Sequence, residues 1–171
     1  QLIARRIREL HVFSKIVPYT ISPEEMAQEA PKGIILSGGP ASVWAPGAPH
    51  PDKTLFTLPV PMLGICYGMQ LMGEVLGGEV SQGASREFGK AELQVRDPDS
   101  LFEGTPDHFV SWMSHGDQVT KLPPGFKTIA STTHTPIAAM ADPTTQKFGV
   151  QFHPEVIHTV YGTDVIKNFL F

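Results

Sequence analysis

The apolar residues at the start of the chain recur with a helical period. Ile3, Ile7 and Leu10 stand at i, i+4 and i+7 with arginines between them, which predicts an amphipathic helix. The stretch VFSKIVPY, residues 12–19, is predicted to be a strand. The chain is therefore expected to begin with a helix followed by a strand.

Signals for the start of a second helix follow at Ser22. This serine can cap the helix, Pro23 suits the first helical position, and Glu25 can reach back to complete a capping box. We expect this helix to end near Pro31. A further short helix is expected over residues 53–58.

Two continuous apolar runs predict buried strands. They are GIILSGGP, residues 33–40, which passes into a glycine turn, and VPMLGI, residues 60–65. GMQLMGEVLGG, residues 68–78, follows the second run as a helix closed by Gly77 and Gly78. Because strands and helices alternate, we expect a parallel sheet with helices on both faces.

The second half of the chain predicts short strands separated by turns. These strands are expected at AELQV (91–95), HFVSWM (108–113), KTIAST (127–132), PIAAM (136–140) and KFGVQF (147–152). A last helix is expected to begin near Thr163. The predicted fold is α/β, with a mostly parallel central sheet, helices on both faces and a small antiparallel extension.

Composition indicates an ordinary globular protein. The chain has 171 residues, 41% of them hydrophobic and 18% charged, so one domain with a substantial core is expected. The net charge of −4 favours no nucleic-acid partner. No apolar run approaches the roughly 20 residues that cross a bilayer, so no membrane association is expected. A lone cysteine cannot form an internal disulfide and no signal peptide is visible, so we expect a cytoplasmic location.

The single cysteine, Cys66, lies between an apolar run and a predicted helix in the stretch LGICYGMQ. Most free cysteines are small buried hydrophobic residues, which is one interpretation here. However, Gly64 and Gly68 flank Cys66 at −2 and +2, an arrangement that lets a strand turn sharply into a helix and expose a nucleophile. The start of the helix would also favour the thiolate. Cys66 is therefore a candidate nucleophile.

A thiol nucleophile needs a base and a group that orients the base. His153 directly follows KFGVQF, so it is expected at a strand end, and Glu155 lies two residues on along an extended segment. Glu155 could then bind one ring nitrogen while the other faces the sulfur. An ordinary strand exit is the alternative for HPE. A metal site is not indicated, because His153 and His158 lack helical ligand spacing and there is no second cysteine.

A third stretch, LSGGP, also follows a predicted strand and should reach the same edge of the sheet. Pro40 has no N–H group, so Gly38 or Gly39 must donate to any bound oxyanion, with the amide of Tyr67 as the second donor. A plain glycine turn is one alternative. A phosphate loop is another, although the Lys-Ser/Thr pair that such a loop uses is absent.

The stretches ILSGGP, GICYGMQ and GVQFHPE resemble the three signatures of the class I glutamine amidotransferases, in the order usual for that family. Three further stretches, REFG (86–89), WMSHGDQV (112–119) and HPEVIHTVYG (153–162), resemble the amidotransferase domain of GMP synthetases in particular. The resemblance covers essentially the whole chain and implies a flavodoxin-like α/β fold.

The resemblance also implies roles for individual residues. It makes Cys66 the nucleophile, His153 the acid and base, and Glu155 the group that orients His153. Gly39 and Tyr67 fall at the oxyanion-hole amides of the family. The positions at which the family contacts its substrate, L-glutamine, are Gln70, Ser114, Gly116 and Asp117.

Two of the matching regions have a plain structural alternative. Residues 114–117 could be a surface turn that follows the strand FVSWM. Arg86 and Glu87 fall where the family presents a loop near the glutamine pocket, and a solvated charged loop is the alternative for them.

The resemblance implies that the chain hydrolyses L-glutamine to glutamate and ammonia, and that a synthetase domain or subunit uses the ammonia to convert XMP to GMP. That partner would bind ATP and Mg²⁺, whereas no cofactor or metal is expected within residues 1–171 themselves. Family members begin with a strand and glycine turn before the first helix of this chain, so residues are expected to be missing at the amino end. The phosphate loop of a synthetase is likewise absent from the sequence.

Three other functions stay open on the sequence. The chain could serve a different synthetase, such as one that makes anthranilate or carbamoyl phosphate. It could be a cysteine hydrolase of γ-glutamyl peptides that uses the same triad. It could also be a catalytically silent module that binds a partner.

Overall fold

The strands of the protein form one mixed sheet. The structure is a computed structural model that describes residues 1–98 and 100–171, without the side chains of residues 84 and 85. The strands in that part of the chain are β1 (Ile34–Leu36), β2 (Met62–Ile65), β3 (Glu79–Val95), β4 (His108–Lys121), β5 (Lys127–Ser131), β6 (Ala139–Asp142) and β7 (Lys147–Val150). They pair in the order β1-β2-β7-β6-β5-β3-β4.

Strands β1, β2 and β7 are parallel and lie at one end of the sheet. Leu63 of β2 pairs with Ile35 of β1 and with Phe148 of β7. Every residue of β2 is buried, as expected for a strand covered on both faces. The carboxyl ends of these three strands meet at one edge, and the predicted site residues of LSGGP, LGICYGMQ and HPE follow directly.

Strands β3 to β6 make the antiparallel part of the sheet. β3 and β4 form a long hairpin whose register shifts between Gln82 and Glu87. β3 also pairs with β5, β5 with β6, and β6 with β7. The predicted α/β fold class is confirmed, and its antiparallel extension is anchored on the parallel strands through β7.

Helices cover both faces of the sheet. They are α1 (Leu2–Glu9), α2 (Pro23–Glu29), α3 (Tyr67–Val75) and α4 (Gly162–Leu170), with short 3-10 helices at Lys53–Thr57 and Ser100–Phe102. Residues of α1 and α4 pack in one apolar cluster and those of α3 in a second. All these helices match a prediction except Ser100–Phe102. Within residues 1–98 and 100–171, no helix combines the length and apolar character needed to span a membrane.

The capping box predicted for α2 is present. The Ser22 side chain accepts a hydrogen bond from the Glu25 backbone N–H at 3.1 Å, and the Glu25 carboxylate accepts one from the Ser22 backbone N–H at 2.9 Å. The helix ends at Ala30, which has φ +46° and precedes Pro31. This local sequence therefore determines both ends of the helix.

The strand predicted over residues 12–19 is wrong. This segment is irregular and pairs with no strand in the part of the chain that the structure describes. Phe13 is 88% exposed and Ile16 is also exposed, so its apolar side chains have no sheet face to cover. Apolar composition alone does not make a strand, because a strand also needs a hydrogen-bonded neighbour.

The hairpin of β3 and β4 is longer than its apolar stretches predicted. Expected strands at residues 91–95 and 108–113 are the inner ends of β3 and β4, which continue to Glu79 and Lys121. Residues 114–117 therefore lie within β4 rather than in a surface turn. The polar character of these outer halves concealed the strands, because the hydrophobic alternation is interrupted there.

Candidate active site

Cys66 occupies the sharp turn between β2 and α3. Its backbone has φ +51° and ψ −107°, a conformation that residues other than glycine rarely adopt. The Cys66 N–H donates to the Val150 carbonyl at 2.8 Å, and the Cys66 carbonyl accepts from the Gln70 N–H at 3.1 Å. The turn is thus held from β7 on one side and from α3 on the other.

The two glycines that flank Cys66 allow this turn to pack. A Cβ atom on Gly68 would lie 2.2 Å from the Leu36 carbonyl oxygen, and one on Gly64 would lie 2.6 Å from the Gly68 backbone. Backbone therefore meets backbone at both positions, where no flexible side chain can move aside. The sequence pattern Gly64-x-Cys66-x-Gly68 suggested a sharp turn, and the close backbone contacts explain why glycine is needed at both positions.

His153 lies beside Cys66 and is held through its own backbone. The His153 N–H donates to the Trp112 carbonyl at 3.0 Å, and its carbonyl accepts from the Thr159 hydroxyl at 2.7 Å. A Cβ atom on Gly38 would lie 3.0 Å from the imidazole Cε1 and 3.6 Å from the Cys66 Cβ. The ends of β1, β2 and β7 thus bring Gly38, Cys66 and His153 into contact.

The imidazole of His153 bridges the thiol and a buried carboxylate. Its Nδ1 lies 2.8 Å from Glu155 Oε1. The hydrogen bond with Cys66, and after it the hydrogen bond with Glu155, raises the pKa of His153 to about 10, although burial opposes both. The ring therefore carries a proton at neutral pH, beside a sulfur that is a nucleophile only as its thiolate.

The backbone amides of Gly39 and Tyr67, predicted to form an oxyanion hole, have no hydrogen-bond acceptor in the part of the chain that the structure describes. Gly39 packs beside the ring of Tyr67, with a distance of 3.8 Å from its ideal Cβ position to the ring. Unpaired N–H groups beside a nucleophile are the feature expected of an oxyanion site.

The residues expected to bind substrate lie on α3, which follows Cys66, and on β4, which contacts the sulfur through Ser114. Gln70 is buried, and its Nε2 donates to the Asp117 carbonyl at 2.8 Å. The Ser114 carbonyl lies 3.7 Å from Cys66 Sγ. Gly116 lies between Ser114 and Asp117 in β4, and its ideal Cβ position lies 3.7 Å from the Arg86 side chain. The structure therefore brings Ser114 to the thiol, joins Gln70 to Asp117 by a hydrogen bond, and puts Gly116 next to Arg86.

Glu87 and His115 form a buried polar cluster next to Asp117 of β4. Glu87 accepts hydrogen bonds from the hydroxyls of Thr132 at 3.0 Å and Thr135 at 2.6 Å. His115 Nδ1 lies 3.1 Å from the Asp117 carbonyl, and its Nε2 lies 3.7 Å from Glu87. Burial lowers the pKa of His115, and the Glu87 carboxylate opposes this only in part. Arg86 and Glu87 both lie in β3 rather than in a loop; Arg86 is exposed, as the solvated alternative expected, whereas Glu87 is buried.

Sequence reasoning missed several residues that support the site. Gln151 is completely buried, and its Nε2 lies 3.6 Å from Cys66 Sγ. A polar residue inside the apolar run KFGVQF was the available signal. Arg6 donates from Nε to the Glu155 carbonyl at 3.0 Å, a contact that the amphipathic pattern of α1 did not indicate. His115 lies between the predicted residues Ser114 and Gly116, but no role was predicted for it from the sequence.

The comparisons with known proteins agree on one family. The sequence model of the family described as glutamine amidotransferase class-I matches residues 1–171. A GMP synthase (glutamine-hydrolyzing) of Caldanaerobacter subterraneus subsp. tengcongensis is 56% identical over all of this chain and 33% of that protein. A protein of the same name from Syntrophomonas wolfei is 53% identical over all of this chain and 34% of that protein. The chain thus spans about a third of the length of these relatives.

Solved structures show the same fold. A Thermoplasma acidophilum protein, provisionally described as one subunit of a GMP synthase, superposes with a TM-score of 0.87 at 33% identity, over 99% of this chain and 85% of that one. A glutamine amidotransferase of Thermotoga maritima superposes with a TM-score of 0.72 at 23% identity, over 91% of this chain and 70% of that one. The second likeness concerns the fold alone.

Replacing Gly68 by alanine tests the steric account of the turn. Because the new Cβ would meet the Leu36 carbonyl, we expect the free energy of unfolding to fall by about 3 kcal/mol or more. Gly33→Ala is the control, since its new Cβ would make ordinary contacts with the Phe169 ring at 3.4 Å and the Pro61 carbonyl at 3.6 Å, and a change within about 0.5 kcal/mol is expected. Denaturant unfolding measures both. Equal losses in the two variants would contradict this account.

The buried His115 predicts a loss of stability in acid. The unfolded chain takes up a proton at His115 as the pH falls through 6.5, whereas the folded protein takes it up only at lower pH. The free energy of unfolding should therefore decrease below pH 6.5, and His115→Gln should decrease less steeply. Denaturant unfolding at about pH 7.5 and about pH 5.5 measures this. Exposed His134→Gln is the control, and parallel curves for wild type and His115→Gln would refute the assignment.

Proposed function

The chain belongs to the class I glutamine amidotransferases, and on that premise we propose that it hydrolyses L-glutamine to glutamate and ammonia. One observation carries the proposal: Cys66 and His153 meet at the carboxyl ends of the adjacent parallel strands β2 and β7, and the imidazole Nδ1 lies 2.8 Å from the Glu155 carboxylate. A thiolate, an imidazolium and a carboxylate in this order are the groups that cysteine-based acyl transfer requires.

In the first step, the Cys66 thiolate attacks the side-chain carboxamide carbon of glutamine. A carbon–sulfur bond forms and the carbonyl oxygen becomes an oxyanion, which the amides of Gly39 and Tyr67 stabilise. Each donor of this kind contributes about 3 kcal/mol in other acyl-transfer enzymes. The absence of other acceptors for these two N–H groups within residues 1–98 and 100–171 supports their role.

In the second step, the proton on His153 passes to the departing nitrogen. The carbon–nitrogen bond breaks, ammonia leaves, and a γ-glutamyl thioester remains on Cys66. Neutral His153 then takes a proton from water as that water attacks the thioester. Glutamate is released, and the thiolate–imidazolium pair of Cys66 and His153 is regenerated. Glu155 holds the ring and stabilises its positive charge throughout, as the 2.8 Å contact with Nδ1 supports.

The wall formed by α3 and β4 would hold the rest of the substrate. With its Nε2 bonded to the Asp117 carbonyl, Gln70 keeps its Oε1 available as an acceptor for the α-ammonium group of glutamine. The carbonyl of Ser114 and the carboxylate of Asp117 add further acceptors on the same wall. Gly116 then serves as the small residue that keeps β4 open beside Arg86.

We also propose that the ammonia serves GMP synthesis. The relatives named GMP synthase are about three times as long as this chain, which supports a synthetase part fused to it. That part would bind ATP and Mg²⁺ and aminate XMP. Ammonia is largely protonated at neutral pH and ammonium is not a nucleophile, so direct transfer between the two sites would preserve its reactivity.

Replacing Cys66 by alanine tests the glutaminase proposal. Because the nucleophile is lost, we expect glutamate release from glutamine to fall at least about 10³-fold, with an unchanged far-ultraviolet spectrum. Exposed His134→Gln is the control and should keep the wild-type rate. Glutamate release by Cys66→Ala at more than a tenth of the wild-type rate would refute the proposal.

The same substitution in a full-length protein tests the link to GMP. There, Cys66→Ala should lose GMP formation from XMP with glutamine but keep it with added ammonium salt. Loss of both activities, or no GMP formation by the unaltered protein from either nitrogen source, would count against the proposed partner.

A further inference from the structure

A second glutamine side chain lies against the sulfur, apart from the predicted catalytic residues. Gln151 follows β7 directly and its side chain is 0% exposed. Its backbone N–H donates to the Ala138 carbonyl at 2.8 Å, which anchors the residue between β6 and β7. Its Nε2 lies 3.6 Å from Cys66 Sγ, within hydrogen-bonding distance for sulfur. Gln151 has no evident structural role that would require its buried amide to face the Cys66 thiol.

The neighbouring groups determine which end of the Gln151 amide faces the sulfur. A backbone carbonyl only accepts hydrogen bonds, so the Asp117 carbonyl requires the nitrogen of Gln70, at 2.8 Å. The same nitrogen lies 3.3 Å from Oε1 of Gln151. Since Oε1 is directed to Gln70, the N–H₂ group of Gln151 is directed to Cys66. The Asp117 carbonyl on β4 thus determines the orientation of the Gln70 amide, and Gln70 in turn determines that of the Gln151 amide.

The remaining surroundings of the sulfur explain why this donor matters. The other polar neighbours of Sγ are the imidazole of His153 and the carbonyl of Ser114, at 3.7 Å. The carbonyl is an acceptor and disfavours a negative charge on sulfur. Gln151 therefore adds the one uncharged donor among the described groups that contact the sulfur, opposite in effect to Ser114.

We propose that Gln151 is a positioning residue that donates a hydrogen bond to the Cys66 thiolate and holds it in line for attack. The proposal rests on the proposed function, in which Cys66 is the nucleophile. No bond at Gln151 forms or breaks. Its N–H stabilises the thiolate before attack and again when the thioester is hydrolysed and the sulfur leaves with its electron pair. Gln70 then has a double role, since its nitrogen orients Gln151 while its oxygen is the acceptor assigned to the substrate in the proposed function.

The test follows the alkylation of Cys66 by iodoacetamide as a function of pH. The chain has one cysteine, so the rate of thiol loss reports this sulfur alone. Gln151→Met keeps the size and removes the donor, and we expect the midpoint of the pH–rate curve to rise by about one unit, with about tenfold slower alkylation on its acid side. Gln151→Glu places a carboxylate against the sulfur and should raise the midpoint further.

Gln118 provides matched controls. It is also a buried glutamine, on β4, and its Oε1 has no hydrogen-bond donor among the described residues. Gln118→Met and Gln118→Glu should leave the midpoint where it is in the wild type. Thermal unfolding of every variant identifies those that fold, and if Gln151→Met does not fold, Gln151→Glu decides in its place.

The outcomes separate this inference from the proposed function. A folded Gln151 variant with the wild-type midpoint overturns the inference, even if its melting temperature falls, because a merely structural role changes stability and leaves the pH profile in place. If the wild-type Cys66 itself alkylates no faster at neutral pH than a free cysteine does, the proposed function fails instead. A raised midpoint in the Gln151 variants alone supports the inference.

Discussion

The close approach of α3 to the end of β1 is the constraint on which the site depends. Gly68 lies so near the Leu36 carbonyl that no side chain fits between them, and Gly64 lies too near the Gly68 backbone for a side chain as well. This contact lets the chain reverse at Cys66 in a conformation with positive φ. The sulfur then emerges at the sheet edge where the residues after β1 and β7 also end. Without this contact, the imidazole of His153 and the amides of Gly39 and Tyr67 would not converge on the Cys66 sulfur.

The charges of the site are arranged in a buried series, which is costly unless each charge is compensated. The hydrogen bonds of His153 with Cys66 and with Glu155 raise the pKa of the imidazole, and together they outweigh the burial of the ring. The uncharged polar groups of the site are also held by hydrogen bonds. The Asp117 carbonyl accepts from both Gln70 and His115, so it joins the wall of the pocket to the buried cluster around Glu87. Stability and chemistry therefore depend on some of the same hydrogen bonds.

Features set by local sequence were predictable, and features set by long-range pairing were not. The turn at Cys66 and the capping box at Ser22 each depend on residues within a few positions, so pattern and spacing identified them. The burial of Glu87 and His115 depends on the pairing of β3 with β4 across a register shift, and the polar outer halves of these strands were not predicted. Gln151 was concealed in a run of otherwise apolar residues. Residues 12–19 show the reverse error, since their composition suits a strand that has no partner in the described chain.

The most direct measurement is the structure of the protein after reaction with a glutamine analogue whose carboxamide is replaced by a chloroketone. The account predicts one covalent bond, between Cys66 Sγ and the analogue, with free glutamine slowing its formation. The ketone oxygen should face the amides of Gly39 and Tyr67, and the analogue's amino group should face Gln70. Labelling of another residue, or a ketone oxygen turned away from both amides, would contradict the account.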